Sequence, residues 1–288
     1  MATRYSIHSS LKRRASRAIF SSKQFQKGSS FKSSKQIQSI PSIQDVLQGK
    51  VKVELDSAQL EEWLDEEFFD VYSFPILSKS FCLKLREAIN EIVEQSKMNE
   101  TKLEDYGRRP VELDSAGFSW INDLLFHLVL RPLSRQLFSS TEHFDDLDWR
   151  HGYIAGYSAE PAEAKGTQRH KLVPHTDDSE ITLNVGMGDN FEGGELSFWN
   201  LRGSTKEGIH VGDFHPRIGC ALIHSGRHLH EVQRVTKGDR YAMIIWARSW
   251  GSLRNATCPC CWIMRRRQDT NRNKPVSKHS CISGPQWN

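Results

Sequence analysis

Two histidines and one aspartate are spaced so that they could bind a metal ion. His175 and Asp177 are two residues apart, and residues i and i+2 of an extended strand project from the same face. His230 lies near a second strand-like run and can supply a third ligand. Two imidazoles and one carboxylate form a facial triad, which binds Fe(II) and leaves the opposite positions open for a chelating cosubstrate and dioxygen. The sequence therefore predicts an iron site formed by His175, Asp177 and His230.

One arginine lies at the start of an apolar strand. Arg240 follows His230 by ten residues and precedes the apolar run 241–247. A permanent cation in such a place needs an anionic partner. The dicarboxylate 2-oxoglutarate would provide one, because its 2-oxo acid end could chelate iron while its far carboxylate accepts two hydrogen bonds from the guanidinium. We predict that Arg240 binds this cosubstrate.

The identity of the second histidine ligand is open on spacing alone. His228 lies two residues before His230 on the same face of the strand. Three further histidines are close in sequence, namely His210, His215 and His224.

The strand predicted at residues 181–185 has one polar and one apolar face. Thr182 and Asn184 share the polar face, which we expect to line the interior of the fold. Two small hydrogen-bonding side chains there could orient a chelated 2-oxo acid. Ordinary alternation of polar residues in a strand explains the pattern equally well.

Four short motifs occur in a fixed order: His175-x-Asp177, Gly193-Gly194-Glu195-Leu196, Gly226-Arg227-His228-Leu229-His230-Glu231 and Gly238-Asp239-Arg240-Tyr241. Together they resemble the prolyl and lysyl hydroxylase branch of the 2-oxoglutarate/Fe(II)-dependent dioxygenases. Residues 72–75 and 177–185 are most similar to the 2-oxoglutarate and iron-dependent oxygenase domain-containing proteins of type 2, and lysyl hydroxylase catalytic domains come next. The similarity covers residues 68–250.

The resemblance implies roles for individual residues. The offset between His230 and Arg240 matches that of lysyl hydroxylases, so His230 is the expected ligand and His228 a pocket residue. Asn184 aligns with an asparagine near the cosubstrate, and Tyr157 resembles a tyrosine that reaches it, although a buried core tyrosine explains Tyr157 nearly as well. Many prolyl hydroxylases carry a tyrosine at the position of Gly186, so Arg240 here would depend on Thr182 or Tyr157.

The resemblance also implies a reaction. Fe(II) and 2-oxoglutarate, with L-ascorbate as a candidate reductant, would use O2 to hydroxylate a C–H bond and form succinate and CO2. The implied substrate is a prolyl or lysyl side chain of a protein. Two alternatives are an oxygenase that acts on nucleic acids or small molecules, and a non-catalytic jelly-roll module that binds partners.

The hydrophobic pattern predicts a mainly β fold with N-terminal helices and a double-stranded β-helix (jelly-roll) core. We expect a basic tail or transit segment at 1–50, a helical support region at 51–147, the dioxygenase core at 148–250, and a Cys-rich basic appendage at 251–288. A helix is predicted after Ser78 or Ser80 and another at 118–131, with Trp120 in the core. The predicted strands are 71–76, 152–157, 172–175, 181–185, 195–199, 219–224, 229–232 and 240–247.

The positive charge of the chain is concentrated at its ends. Among 288 residues with a net charge of +4, the first 44 contain nine basic residues and no acid. This composition fits a disordered tail or an organelle transit segment, and Lys12-Arg13-Arg14 also fits nuclear import. Without an apolar run that could span a bilayer or a signal peptide, we expect a soluble intracellular protein of the cytoplasm or nucleus, with mitochondrial or plastid targeting as the alternative.

The six cysteines do not form the pattern of a disulfide framework. Cys258, Cys260 and Cys261 could bind a structural metal together with Cys281 or His279. They lack the paired C-x-x-C arrangement of a zinc ribbon, so the spacing leaves this question open.

Overall fold

The computed structural model describes residues 42–50, 53, 55, 57–98, 110–138, 147–159, 169–202 and 204–249. Most of the predicted basic tail, residues 1–41, lies outside the described residues, as does the whole Cys-rich appendage at 251–288. Whether Cys258, Cys260 and Cys261 bind a structural metal therefore stays open.

Among the described residues, five α-helices precede strand β4 (Trp149–Ser158) in the chain. They are α1 Ile43–Leu47, α2 Ser57–Trp63, α3 Lys79–Met98, α4 Ser119–Leu125 and α5 Arg131–Leu137, and a π-helical turn, Phe126–Leu130, joins the last two. In α1, the Ser42 side chain accepts a hydrogen bond from the backbone N–H of Asp45, and the Asp45 side chain accepts one from the Ser42 backbone, which forms a capping box. Helix α1 lies inside the 1–50 segment that the sequence assigns to the tail, so ordered structure begins before residue 51.

The predicted helix at 118–131 continues past Pro132, because the proline occupies the first turn of α5, where no backbone N–H is needed. Trp120 is 41% exposed, so its predicted place in the core is wrong. The helix buries Ile121, Leu124 and Leu125 instead, and Trp120 lies about 100° around the helix axis from Ile121.

Twelve strands form the rest of the described structure. Their bounds are β1 Asp65–Phe68, β2 Val71–Pro75, β3 Val111–Glu112, β4 Trp149–Ser158, β5 Leu172–His175, β6 Ile181–Gly186, β7 Phe191–Gly193, β8 Leu196–Leu201, β9 His210–Phe214, β10 Cys220–Ser225, β11 His228–Val232 and β12 Val235–Arg248.

The strands make two antiparallel sheets that face each other. The larger sheet has the order β1-β2-β10-β6-β12-β4-β3, with β7 also paired to β12, and the smaller has the order β5-β11-β8-β9. This arrangement confirms the predicted jelly roll. No helix among the described residues has both the length and the apolar character needed to cross a membrane.

Each face of the larger sheet buries a different set of side chains, because successive residues of a strand point to opposite sides. In β6, the outward residues Ile181, Leu183 and Val185 pack with the helices in one hydrophobic cluster. A second cluster fills the space between the sheets and includes Tyr157 and Phe198. The polar interior face of β6 predicted from the sequence therefore opens into the barrel.

Candidate metal centre

The pairing of two strands of the smaller sheet brings two histidines together. His175 is the last residue of β5 and lies directly opposite His230 of β11. Asp177 follows β5, and its backbone N–H donates to the carbonyl of Gly226 at 2.9 Å. This bond ties residues 175–177, which we call the ligand segment, to the turn before β11. One ligand atom from each of His175, Asp177 and His230 lies within 4.8 Å of the others.

The orientation of both imidazoles fits metal binding through Nε2. Nδ1 of His175 lies 2.8 Å from the carbonyl oxygen of Val173, and Nδ1 of His230 lies 3.0 Å from that of His228. A carbonyl can only accept, so each Nδ1 donates and, in the neutral ring, each Nε2 keeps its lone pair. These Nε2 atoms lie 3.6 Å and 3.8 Å from the carboxylate oxygens of Asp177. Backbone carbonyls commonly fix metal-bound histidines in this way.

A short hydroxyl relay orients the carboxylate of Asp177. The Thr182 hydroxyl donates to Oδ2 of Asp177 at 2.7 Å. Because that hydroxyl has a single proton, the Ser179 hydroxyl must be the donor in the 2.7 Å contact between Ser179 and Thr182. The structure shows Thr182 positioning the proposed ligand Asp177, while its role in orienting the cosubstrate stays a prediction. No pattern in the sequence identified Ser179.

The electrostatics of the three groups suit a cation. Burial disfavours ionisation of Asp177, but the nearby His230 and His175 outweigh this effect and hold the pKa of Asp177 well below its usual range. Burial lowers the pKa of His230 and keeps its ring neutral. At His175 burial is also the largest influence, yet the contacts with Asp177 raise the pKa of His175.

The neighbouring histidines point elsewhere. The ring nitrogens of His228 lie 3.2 Å and 2.9 Å from the carbonyl oxygens of Trp199 and Phe69. His224 is fully buried, its Nδ1 lies 2.9 Å from the Ser225 carbonyl oxygen, and burial lowers the pKa of His224 to about 3. The structure therefore brings His230, and neither His224 nor His228, into the described cluster with His175 and Asp177.

Arg240 is a buried cation whose side chain is incompletely paired. It is 1% exposed, and its Nε and Nη2 have no hydrogen-bond partner within the described part of the chain. Its strand neighbour Tyr157 lies in register with it, and the ring of Tyr157 is 5.2 Å from the guanidinium carbon. Burial lowers the pKa of Arg240 from its ordinary value. Such a cation requires an anion to fill the space before it.

Asn184 lies on the same interior face of β6 as Thr182. Its side chain is buried, with 8% exposure. Tyr153 precedes Tyr157 by four residues on β4, so both side chains lie on the interior face of the strand. There Tyr153 interacts electrostatically with Asp177. The period of two along β4 could have identified Tyr153 from the sequence.

The donor set fits Fe(II). The cluster offers two imidazole nitrogens and one carboxylate, which are the ligand types and the number of ligands in a facial triad. The unpaired guanidinium of Arg240 supplies a partner for the far carboxylate of a chelating dicarboxylate. A jelly roll that contains these two features defines a non-haem iron oxygenase.

Comparison with known proteins agrees with this class. Residues 161–248 match the model of the 2OG-Fe(II) oxygenase superfamily. The chain is 31% identical over 196 residues to the 2-oxoglutarate and iron-dependent oxygenase domain-containing protein 2 of Danio rerio. The aligned region covers 66% of this chain and 53% of that protein. The chain is 30% identical over 187 residues to the related protein CP2 of Arabidopsis thaliana, covering 62% and 45%.

A more distant relative is procollagen-lysine,2-oxoglutarate 5-dioxygenase 1 of Gallus gallus, with 26% identity over 188 residues that cover 61% of this chain and 23% of that protein. Residues 161–248 of this chain are thus similar to the 2OG-Fe(II) oxygenase superfamily. The chain spans about half the length of the two oxygenase domain-containing relatives.

Proposed function

We propose that this protein is a 2-oxoglutarate-dependent hydroxylase that acts on a prolyl or lysyl side chain of a protein. The observation that carries the proposal is the pairing of the His175, Asp177 and His230 cluster with the buried, incompletely paired Arg240. The cluster suits Fe(II), and the arginine suits the far carboxylate of 2-oxoglutarate. The name of the Gallus gallus relative supports a lysyl side chain of a protein as one candidate substrate.

In the proposed reaction, bound iron and 2-oxoglutarate supply the oxidising chemistry: one atom of O2 enters succinate, the other enters the new hydroxyl group, and CO2 leaves. His175, Asp177 and His230 would hold the metal, and Thr182 keeps the Asp177 carboxylate oriented. Arg240 would fix the far end of the cosubstrate, and Tyr157 and Asn184 would line its sides. Their common role is positioning.

The test is whether purified protein with Fe(II) forms succinate from 2-oxoglutarate, and whether prolyl or lysyl peptides stimulate this and gain one oxygen atom by mass spectrometry. We expect stimulation coupled to peptide oxidation. Stimulation by an oligonucleotide or a small metabolite, with no oxidised peptide, would replace the protein substrate by another class.

A further inference from the structure

The rim of the candidate iron site is basic although the domain around it is acidic. Residues 45–250 contain 34 acidic and 23 basic residues, a difference of eleven negative charges. Two arginines, Arg169 and Arg202, nevertheless lie beside the ligand segment. Neither has a carboxylate partner among the described residues. A local concentration of positive charge at the mouth of a pocket attracts an anionic group.

Arg202 contacts the ligand segment directly. It follows β8, is half-buried, and places Nη1 3.5 Å from the hydroxyl of Thr176, the residue between His175 and Asp177. Its backbone N–H donates to the Arg227 carbonyl at 2.9 Å, and its carbonyl accepts from Nη2 of Arg227 at 3.0 Å. These two bonds hold Arg202 at the rim.

Arg169 lies on the cosubstrate side of the same rim. Its guanidinium carbon is 5.7 Å from the ring of Tyr157, and its charge interacts with both His175 and Tyr153. The positive charge of Arg169 and Arg202 is therefore presented from two sides of the ligand segment.

The facing wall is aromatic. Trp149, His151 and Tyr153 of β4 and Trp246 of β12 form a continuous set of ring contacts, with centroids 5.9 Å apart for Trp149 and His151 and 5.5 Å apart for Tyr153 and Trp246. Trp246 lies opposite Thr182 in the sheet, which places the wall next to Asp177. Burial lowers the pKa of His151, so this wall adds no positive charge of its own.

The indole faces of this wall already contact a cation of the protein. The guanidinium carbon of Arg248 is 4.2 Å from the ring centre of Trp149 and 5.8 Å from that of Trp246. Nη2 of Arg248 is paired with Asp178 at 2.9 Å. A second cation, such as a lysyl ammonium, would have to displace Arg248 from the indole rings. Otherwise it would lie beside Arg248 and be repelled, since Asp178 is already paired with Arg248.

We propose that the substrate presents an uncharged target side chain, of the prolyl type, next to an acidic residue whose carboxylate binds Arg202. This inference rests on the proposed function and narrows its substrate class. The aromatic wall would pack against the apolar target, and the arginine rim would bind the neighbouring carboxylate. A peptide with one acidic residue fits better than a nucleic acid, because the eleven excess negative charges of residues 45–250 repel a polyanion more strongly than a single carboxylate.

Binding of labelled peptides tests this proposal. Three fluorescein-labelled peptides of equal length carry a central Ala-Pro-Ala flanked by Glu, Gln or Lys, and fluorescence anisotropy measures their affinity for the full chain. We expect the Glu peptide to bind most tightly and to weaken as salt is added. Arg202→Gln should weaken the Glu peptide about tenfold and leave the Gln peptide unchanged, as expected for loss of a charge-assisted hydrogen bond.

Arg217→Gln is the matched control, since Arg217 is also half-buried. Arg217 precedes β10, with Nη2 3.6 Å from Sγ of Cys220, whereas Arg202 is bonded to Arg227 just after the other end of β10. Arg217→Gln should leave Glu-peptide binding unchanged, and Arg202→Lys should restore part of it. The proposal is overturned if the Gln or Lys peptide equals the Glu peptide, if Arg217→Gln has the effect of Arg202→Gln, or if a short oligothymidylate binds more tightly. Failure of the proposed function would appear separately, as absence of metal-dependent 2-oxoglutarate binding.

Discussion

At the scale of single residues, the site combines one anion and one cation that are each almost fully buried. Asp177 is 4% exposed and Arg240 is 1% exposed. An isolated buried charge is costly, so each needs a partner of opposite sign. The carboxylate has hydrogen bonds from Thr182 and two imidazoles beside it, whereas the described structure leaves two guanidinium nitrogens unmatched. A metal and a dicarboxylate would complete both partnerships.

Substitutions of Arg240 separate cosubstrate binding from metal binding. Truncating one partner of a buried charge pair costs about 2–5 kcal/mol, a weakening of roughly thirty- to several-thousand-fold. We expect Arg240→Ala to lose 2-oxoglutarate affinity by this amount. Arg240→Lys should lose less, because a lysine keeps the charge but cannot form two parallel hydrogen bonds to a carboxylate. Calorimetric titration with Mn(II) and then with 2-oxoglutarate measures both; normal cosubstrate affinity in Arg240→Ala would show that the arginine is structural.

Metal affinity should depend on pH through His175. A metal ligand must be deprotonated, and the pKa of His175 is raised above its ordinary 6.5 while the pKa of His230 is lowered. Asp177 stays ionised because its pKa is low. Acidification therefore protonates His175 first, and Mn(II) affinity should fall by about tenfold per pH unit below its pKa. A Mn(II) affinity that stays constant down to acidic pH would show that protonation of His175 does not compete with metal binding.

At the scale of secondary-structure elements, the start of β12 and the turn after β7 hold Arg240 in place. Gly194 has φ +70°, and a Cβ added there would lie 2.8 Å from Cδ of Arg240 and 3.0 Å from Cγ2 of Val235. The Gly193-Gly194 pair thus does more than form a turn, since the missing side chain leaves room for the arginine.

Gly194→Ala should weaken 2-oxoglutarate binding by displacing Arg240. Gly117→Ala is the matched control: Gly117 has φ +82°, and nothing lies within 4 Å of its added Cβ. Both variants should lose about 1–2 kcal/mol of folding free energy from the left-handed backbone. Only Gly194→Ala should also lose cosubstrate affinity, measured by the same titration. Equal cosubstrate affinity in the two variants would mean that the close approach to Arg240 is unimportant.

Local patterns predicted the elements with strong periodicity and missed the others. Strand β5 was predicted with its observed bounds, and β12 was predicted shorter than it is. The three-residue β7 and the glycine-containing β9 were missed because their stability comes from pairing with β12 and β8, which no local pattern reveals. Spacing predicted His175 and Asp177, and the resemblance to lysyl hydroxylases selected His230 over His228. The bond from Thr182 to Asp177 could not be predicted, because it depends on the conformation of the intervening loop.

At the scale of the whole molecule, the described N-terminal helix packs against the helical layer. Val46 of α1 is 8% exposed, and a Cβ added at Gly49 would lie 2.6 Å from Cε1 of His127 in the π-helical turn. This packing assigns α1 to the folded domain. Composition predicted a boundary at residue 51, since a five-residue helix is too short to show a clear period. That boundary stays a prediction.

Two truncations locate the boundary. Removal of residues 1–41 should leave the melting temperature and 2-oxoglutarate turnover unchanged, because the capping box of Ser42 and Asp45 is retained. Removal of residues 1–50 should lower the stability by about 1–3 kcal/mol, through loss of the buried Val46 side chain. Thermal unfolding of the two proteins decides the point. Equal melting temperatures would place α1 outside the cooperative unit.

We infer that a metal held by His175, Asp177 and His230 creates the binding site for 2-oxoglutarate. The most direct measurement is calorimetric titration of 2-oxoglutarate under anaerobic conditions, with and without Fe(II), on the wild-type protein and on Asp177→Ala. We expect tight binding only for the wild-type protein with Fe(II), and an Asp177→Ala protein that melts cooperatively but does not bind the cosubstrate. Equal 2-oxoglutarate binding without iron, or iron-dependent binding that Asp177→Ala retains, would show that the three residues do not form this site.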